Sequence, residues 1–392
     1  MAARFKMSKE DKFVCVYCFK DPGLSNFIRK RAVSDKCSFC CSRSQEFIAA
    51  SIDDVSAYFL KCLFQEYDLA VSQLFQEGGW IGTFWSSEEL AIDEINLEFP
   101  GGNQDSLLPY LFGEYFDQDW CEEDAYGPNP QDRVYLSWNY FRKVIMHERR
   151  FFFLGNGRET HAPEGYGPGE ILHMISEYAQ QIGLFTEVPS GTHLLRARRE
   201  GCKRVLKEPQ ELGPPPVNKA IQSNRMSPAG IPMFYGCDDE ETALKETASK
   251  PGFYAIGRFE TRRPATLLDL SAIPSIPSLF DAIPDCTEIS PRRMLIFLDH
   301  VSREISRPIE RSEKEHVEYV PTQVVTEFVR DHVKWKGSRV DGIKYVSSVH
   351  PCHASYVLFA GQGNICSTPE SEFSEDVWLK LIDTKHTWSN GK

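Results

Sequence analysis

The chain has 392 residues, enough for two domains and a large buried core. Lys and Arg number 44 against 56 Asp and Glu, and the formal net charge of −12 argues against broad nucleic-acid binding, which depends on cationic contacts with phosphates. With 41% hydrophobic and 26% charged residues, the composition is that of a soluble globular protein. No apolar run reaches membrane-spanning length, and the N-terminus lacks the apolar core of a signal peptide, so we expect a cytoplasmic protein without membrane contact.

Four of the 12 cysteines form two C-x2-C pairs, Cys15 with Cys18 and Cys37 with Cys40. Each such turn points two thiolates at one ion, and two turns complete the closed tetrahedral shell of a structural zinc. We therefore predict a zinc knuckle over residues 1–43. A redox dithiol or unrelated thiols are the alternatives, and Cys41 is an alternative to Cys40 as the fourth ligand. The remaining cysteines lack ligand spacing and are interpreted as small apolar residues: Cys62, Cys121, Cys202, Cys237, Cys286, Cys352 and Cys366.

The residues after the knuckle show helical periodicity. Apolar side chains from Ile48 to Cys62 recur at steps of three and four, which is typical of a buried helix. Breaks rich in Gly and Pro separate further predicted helices at 63–77, 86–96, 106–117 and 132–148. No strand-like alternation precedes about residue 184. The pattern predicts a mostly α domain over residues 44–154.

A second domain is predicted at residues 190–385, after a linker and connecting helix at 155–189. The linker contains a Gly/Pro-rich stretch at 155–169 and a helix at 168–182. Beyond it, β-rich runs occur at 193–198, 233–236, 253–260, 265–270, 342–346 and 355–360, with helices near 239–250, 292–304 and 321–334. Because strands and helices do not alternate strictly, the pattern favours an α+β domain over a doubly wound sheet.

Polar residues accompany the apolar strands of this second domain. It lacks the dinucleotide-binding, Walker, zinc-protease and nucleophile-elbow motifs. The candidate site residues, in chain order, are Arg196, Arg225, Tyr235, Glu246 and Ser347. Taken alone, each residue has an ordinary structural explanation: an arginine can form an ion pair, a glutamate can lie on a solvated helix, and a serine can complete a turn. Their order and local sequences are what make them candidates.

This order resembles the RES domain, which is named for its Arg, Glu and Ser and is the toxin of a bacterial toxin–antitoxin system. The matching blocks are Leu195–Arg198, Arg225 with Gly230–Tyr235, Thr242–Glu246, Ala265–Leu270, Pro321–Glu327 and Asp341–Ser347. The likeness covers about residues 190–362. Met226 and Ser227 stand where many relatives have Trp and Asn. This departure affects how a substrate ring would stack in the site more than it affects the chemistry.

The resemblance implies an ADP-ribosyltransferase-like fold and consumption of NAD. Loss of nicotinamide from ribose passes through an oxocarbenium-like state, as glycoside cleavage does. Arg196 and Arg225 are then expected to hold the pyrophosphate or ribose, and Tyr235 to lie against the nicotinamide or ribose. Glu246 is expected to bind the ribose hydroxyls and stabilise the developing positive charge, and Ser347 to orient a phosphate or the nicotinamide amide. Water, phosphate and a protein side chain all remain open as acceptor.

The N-terminal half resembles the HEPN/RES N-terminal domain, on its paired cysteines and the segment Trp138–Phe153. HEPN nucleases use an R-x4–6-H motif, which Arg142 and His147 match, although we favour their interpretation as a basic cluster at a helix end. The sequence therefore predicts a bacterial toxin or defence effector that degrades NAD, with a regulatory zinc-bound domain and a cognate antitoxin as partner. The alternatives are a HEPN-type ribonuclease and a non-catalytic regulatory binding protein.

Overall fold

The computed structural model describes residues 12–77, 79–122, 130–152, 166–201, 205–281, 291–307, 315–366 and 374–391. Cys202, Cys286 and most of the predicted Gly/Pro-rich linker lie outside these residues. The chain divides into two compact units, one formed by Met1–Asp132 with Ser275–Arg293 and the other by Arg133–Pro274 with Met294–Lys392. Among the described residues, no helix has both the length and the apolar character needed to cross a membrane.

The first unit is built from short elements. Its helices are α1 (Pro22–Arg31), α2 (Ile52–Leu63), α3 (Ala70–Gln73), α4 (Ser87–Glu89) and α5 (Gln104–Phe112). Its strands are β1 (Phe13–Cys15), β2 (Ala49–Ser51), β3 (Tyr67–Leu69), β4 (Phe75–Gln76), β5 (Trp80–Ile81), β6 (Trp85–Ser86) and β7 (Asp119–Glu122). β1 pairs with β2, β4 pairs with β5, and β3, β7 and β6 form a three-stranded antiparallel sheet.

The predicted helices of this unit are confirmed in part. α2 matches the predicted stripe up to Cys62, and the helices predicted at 86–96 and 106–117 are present as α4 and α5 with the short helical turns that follow them. The helix predicted at 63–77 is wrong, because this segment contains β3 and β4 with only the four-residue α3 between them. β3 pairs with β7, more than 40 residues later, and such a distant partner leaves no trace in local periodicity.

Phe280 enters the core of the first unit from a distant part of the sequence. Its ring stacks on Phe59 with ring centroids 5.1 Å apart, and its backbone carbonyl accepts a hydrogen bond from the Tyr58 hydroxyl at 2.8 Å. A Cβ atom on Gly23 would lie 2.2 Å from the same carbonyl, so only glycine permits this approach of α1. Phe280 therefore joins α1 and α2 within one buried cluster.

We expect Phe280→Ala to destabilise the first unit by about 3–5 kcal/mol, because it leaves a cavity in a fully packed aromatic cluster. Denaturant unfolding followed by circular dichroism measures the loss. Phe47→Ala is the control, since Phe47 is 67% exposed in the same unit and its truncation should change the free energy of unfolding little. Equal effects of the two substitutions would contradict the prediction.

The second unit contains a large mixed sheet. The remaining helices are α6 (Pro130–Lys143), α7 (Pro168–Ile182), α8 (Pro209–Leu212), α9 (Glu240–Thr247), α10 (Pro291–Ser306), α11 (Glu315–Glu318) and α12 (Val320–Asp331). The remaining strands are β8 (Phe185–Val188), β9 (His193–Arg199), β10 (Phe234–Cys237), β11 (Gly252–Thr261), β12 (Ala265–Asp269), β13 (Lys334–Trp335), β14 (Ser338–Arg339), β15 (Gly342–Val346), β16 (Ala354–Leu358), β17 (Ile365–Cys366) and β18 (Leu379–Ser389).

Nine of these strands form one sheet in the order β17-β18-β11-β9-β10-β16-β15-β12-β8. The pairs β17–β18 and β12–β15 are parallel, and the other neighbours in the sheet are antiparallel. The predicted strands and helices of this half are present, and helices combined with a mixed sheet agree with the α+β prediction. The long strand β18, which pairs along the whole of β11, was not predicted.

Candidate functional site

A cavity of about 780 Å³ lies at the centre of the sheet, bounded by β9, β10, β16, α9 and the loop that precedes β10. Among the described residues, its lining contains one carboxylate, Glu246, and four cationic side chains, Arg196, Arg198, Lys219 and Arg225. The chain as a whole has a net charge of −12, so this cavity concentrates positive charge against the overall balance. Such a cavity suits an anionic ligand.

Arg196 is held within the sheet at the edge of the cavity. β9 and β10 pair only where Leu195 faces Cys237, and beyond that point the Arg196 Nη1 donates to the Tyr235 carbonyl at 2.9 Å. The Nε atom is buried without a hydrogen-bond partner. Burial, together with the nearby charge of Arg198, lowers the pKa of Arg196 to about 10, which still leaves it charged at neutral pH. A buried guanidinium with an unused donor is suited to binding an anion.

The Tyr235 side chain is fixed by the loop before its strand. Its hydroxyl lies 2.9 Å from the Ser227 Oγ and accepts from the Met226 backbone N–H at 3.4 Å. Burial raises the pKa of Tyr235 to about 12, so the phenol stays neutral. Met226 is fully buried in the core, whereas Ser227 lines the cavity and orients Tyr235. Ser227 was not predicted as a site residue.

Arg225 is anchored on the C-terminal end of α10. Its Nη1 donates to the Ser306 carbonyl at 2.6 Å and its Nη2 to the Ser348 Oγ at 3.4 Å. A helix C-terminus carries partial negative charge, which favours a guanidinium there. The Arg225 carbonyl in turn accepts from the Thr322 hydroxyl at the start of α12. This loop is therefore held from two helices, and no described carboxylate forms an ion pair with Arg225.

The Glu246 carboxylate projects from α9 and is held through one of its two oxygens. Ser347 Oγ donates to Oε1 at 2.7 Å, and Ser355 Oγ donates to the same atom at 3.1 Å. Within the described chain, no group donates to Oε2. The two hydroxyls thus fix the carboxylate and leave one oxygen for a ligand in the cavity.

Ser347 lies behind Glu246 and does not line the cavity. Its side chain is 1% exposed, and its oxygen accepts from the backbone N–H groups of Val349 and His350 at 3.4 and 3.2 Å. Ser355 was missed by the sequence reasoning, although a lone serine in the apolar strand β16 is a signal that a buried hydroxyl has a specific partner. The structure therefore brings Arg196, Arg225, Tyr235 and Glu246 to one cavity, with Ser347 supporting them.

The R-x4-H pair lies at the end of α6 in the second unit. Arg142 forms an ion pair with Glu304 of α10, with Nη1 and Oε2 3.6 Å apart. His147 is exposed in the helical turn Val144–Glu148 that follows α6. Arg142 thus has a structural partner, which agrees with the interpretation as a basic helix end.

The four predicted zinc ligands form a cluster in the first unit. The Sγ atoms of Cys15 and Cys18, Cys15 and Cys40, and Cys18 and Cys37 lie 3.8, 3.4 and 3.5 Å apart. Zinc–thiolate bonds of about 2.3 Å place neighbouring sulfurs of a tetrahedron roughly 3.8 Å apart, so the cluster has the size that zinc requires. Cys41 is exposed and is not a member of it.

The clustered thiols shift one another's pKa in opposite directions: contacts with Cys15 and Cys37, together with burial, raise the pKa of the Cys18 thiol. Hydrogen bonds from Cys15 and Cys18, and then from the backbone N–H groups of Cys40 and Phe39, hold the pKa of the Cys37 thiol well below its ordinary value. The Asn103 amide donates to the Cys18 Sγ at 3.2 Å. N–H groups directed at sulfur are typical of the second shell around a bound metal.

Two family models match the sequence. A model described as HEPN/RES N-terminal domain 1 matches residues 30–159, and a model described as RES domain matches residues 203–378. Arg225, Tyr235, Glu246 and Ser347 fall within the second match, and Arg196 lies just before it. No curated protein and no solved structure matches the chain significantly.

Proposed function

The chain contains a HEPN/RES N-terminal domain 1 followed by a RES domain, and from this premise we propose that it is an NAD-consuming toxin or defence effector. The proposed reaction is cleavage of the bond between nicotinamide and ribose. RES domains are associated with NAD-processing toxins of toxin–antitoxin systems. The observation that carries the proposal for this chain is the Glu246 carboxylate, which keeps one free oxygen in a cavity whose other described charged groups are cationic.

The arginines bind the anionic part of the substrate. Arg196 offers a buried, unused N–H, and Arg225 lines the same cavity, so the two guanidinium groups provide donors for a pyrophosphate. Tyr235 is neutral and rigid, and its ring forms a wall against the nicotinamide or the ribose. These contacts bind the ground state and set KM.

Glu246 acts on the transition state. As the ribose–nicotinamide bond breaks, its electron pair leaves with the ring nitrogen of nicotinamide and positive charge develops on the ribose. The free oxygen of Glu246 accepts a hydrogen bond from a ribose hydroxyl and stabilises that charge. The carboxylate needs no rearrangement to do so, because two hydroxyl donors already fix it. An acceptor then bonds to the anomeric carbon and loses a proton. Water, phosphate or a protein side chain completes the reaction as hydrolysis, phosphorolysis or transfer.

Ser347 positions Glu246 in this proposal. We expect Ser347→Ala to lower kcat about tenfold with little change in KM, because it removes one of two charge-assisted hydrogen bonds on Oε1. Ser271→Ala is the control, since it removes a hydroxyl that donates to a carboxylate outside the cavity, that of Asp269. Steady-state kinetics, corrected for the folded fraction, separate a role of Ser347 in positioning Glu246 from a role in stability. An unchanged kcat per folded molecule would show that Ser347 serves stability alone.

The test of the proposal is release of nicotinamide from NAD by the purified full chain. Chromatography of the second product identifies the acceptor as ADP-ribose, a phosphorylated ADP-ribose or a modified protein. If NAD stays intact while RNA is degraded, and His147→Ala stops the degradation, the ribonuclease alternative replaces the proposal. From Cys62 to Asp132 the sequence has no Lys, Arg or His, so nearly half of the first unit offers no cation to an RNA phosphate.

The two remaining parts of the proposal concern zinc and a partner. The four-cysteine cluster would hold one structural zinc through Cys15, Cys18, Cys37 and Cys40, and a closed thiolate shell supplies folding energy and no open catalytic position. A cognate antitoxin protein is the proposed partner, on the association of RES domains with toxin–antitoxin systems.

A further inference from the structure

A second group of metal-binding side chains lies in the RES-containing unit, apart from the cysteine cluster. Asp239 caps the N-terminus of α9, and its Oδ1 accepts from the Thr242 backbone N–H at 2.8 Å. His350 and His353 lie in the loop that joins β15 to β16. One ligand atom from each of these three residues lies within 4.8 Å of the others. All three side chains are partly buried.

Hydrogen bonds bring the side chains of these three residues together. His353 Nδ1 lies 3.0 Å from Asp239 Oδ2, and His350 Nδ1 lies 2.6 Å from the Thr242 Oγ1, which itself donates to Asp239 Oδ2 at 2.5 Å. Metal–ligand bonds of about 2.0–2.2 Å place neighbouring ligand atoms roughly 3.0–3.5 Å apart. His353 Nδ1 therefore lies at nearly the distance from a carboxylate oxygen that a shared ion requires, and His350 Nδ1 reaches the same oxygen through the Thr242 hydroxyl that lies between them.

The cap of α9 does not account for this arrangement. Asp239 already satisfies the helix through Thr242, and a single histidine would be enough to complete the hydrogen bonds of Oδ2. Instead a second imidazole lies on the first, with ring centroids 3.8 Å apart and the planes inclined by 8°. An ion cannot lie in the planes of two parallel rings, so one ring must turn about its Cβ–Cγ bond on binding. The His353 side chain is 42% exposed and has room to turn.

We propose that Asp239, His350 and His353 bind one divalent transition-metal ion of the zinc class. Two imidazoles and one carboxylate are donors that such ions prefer, and an open position remains for water. The ion would join α9, which carries Glu246, to the loop that carries Ser347. The His350 backbone N–H already donates to the Ser347 Oγ at 3.2 Å, so the ion would stiffen the support of the Glu246 carboxylate. This last consequence rests on the proposed function, whereas the metal site does not.

Titration of the metal-depleted full chain with Co2+ tests the site. Co2+ in the four-cysteine cluster gives intense thiolate charge-transfer absorption, and Co2+ at Asp239, His350 and His353 gives only weak d–d bands. We expect two ions per wild-type chain, and one, with the charge-transfer absorption intact, in His353→Ala. A fall in affinity of at least about tenfold is expected in Asp239→Asn, which keeps a good helix cap but removes the charge.

His386→Ala is the matched control. His386 also pairs with a carboxylate, Glu200, at 2.8 Å, but no second imidazole of the described residues joins that pair, so its loss should leave two ions per chain. A single ion in the wild type, two ions in His353→Ala, or an unchanged Co2+ affinity in Asp239→Asn would overturn the proposal. Circular dichroism confirms that each variant is folded. The readout is independent of NAD cleavage, so failure of either proposal is seen separately.

Discussion

Glu246→Gln is expected to lower kcat for nicotinamide release by about a hundred- to a thousandfold and to change KM little. Glutamine keeps an oxygen that can accept from Ser347 and Ser355, so the support of the side chain survives. What disappears is the negative charge opposite the positive charge that develops on the ribose, an interaction that strengthens only in the transition state. Nicotinamide release at saturating NAD measures the effect.

Glu241→Gln provides the matched control for this prediction. Glu241 lies on the same helix α9, its side chain is 67% exposed, and it pairs with Lys245 four residues on, at 2.7 Å. The same substitution there should leave kcat within about twofold, since an exposed i,i+4 pair contributes only a few tenths of a kcal/mol. Comparable activity in Glu246→Gln and wild type would exclude Glu246 from the reaction.

The residues that line this cavity were easier to predict from the sequence than the hydroxyl groups that hold Glu246 and Tyr235 in place. Arg225, Tyr235 and Glu246 were identifiable because each stands in a block of ordered family-like sequence, and all three line one cavity. Ser355 and Ser227 carry no such signal. Their partners, Glu246 and Tyr235, are reached only when strands and loops come together, and a hydroxyl's partner is a property of that packing.

The prediction of helices and strands was limited in the same way, because local sequence does not show which distant segments pair. α7 was predicted at its observed bounds because Pro at its start and Gly183 in a left-handed conformation after its end are strong local signals. The segment 63–77 has comparable apolar content, yet its two strands are set by pairing outside the segment, β3 with β7 and β4 with β5. β18 was missed for a related reason. It is largely polar and partly exposed, and its pairing with β11 is what makes it a strand.

Cys18→Ser is expected to remove the thiolate-bound zinc and to cost the first unit several kcal/mol of folding free energy. Cys18 is fully buried, receives a hydrogen bond from Asn103, and lies in the same core as Leu24 and Phe59. Loss of the ion would leave buried thiols without the bonds that hold β1 to the loop containing Cys37. Thermal unfolding and the intensity of the Co2+ thiolate absorption measure the two effects.

Cys41→Ser decides which cysteine completes the cluster. The Sγ atoms of Cys40 and Cys15 lie 3.4 Å apart in the cluster, whereas Cys41 is exposed and is not a member of it. We therefore expect Cys41→Ser to keep full thiolate absorption and the wild-type unfolding midpoint, and Cys40→Ser to lose both. The reverse result would assign the fourth ligand to Cys41. Retention of zinc in Cys18→Ser and Cys40→Ser alike would show that these thiols form no metal site, and the first unit would then depend on its apolar core alone.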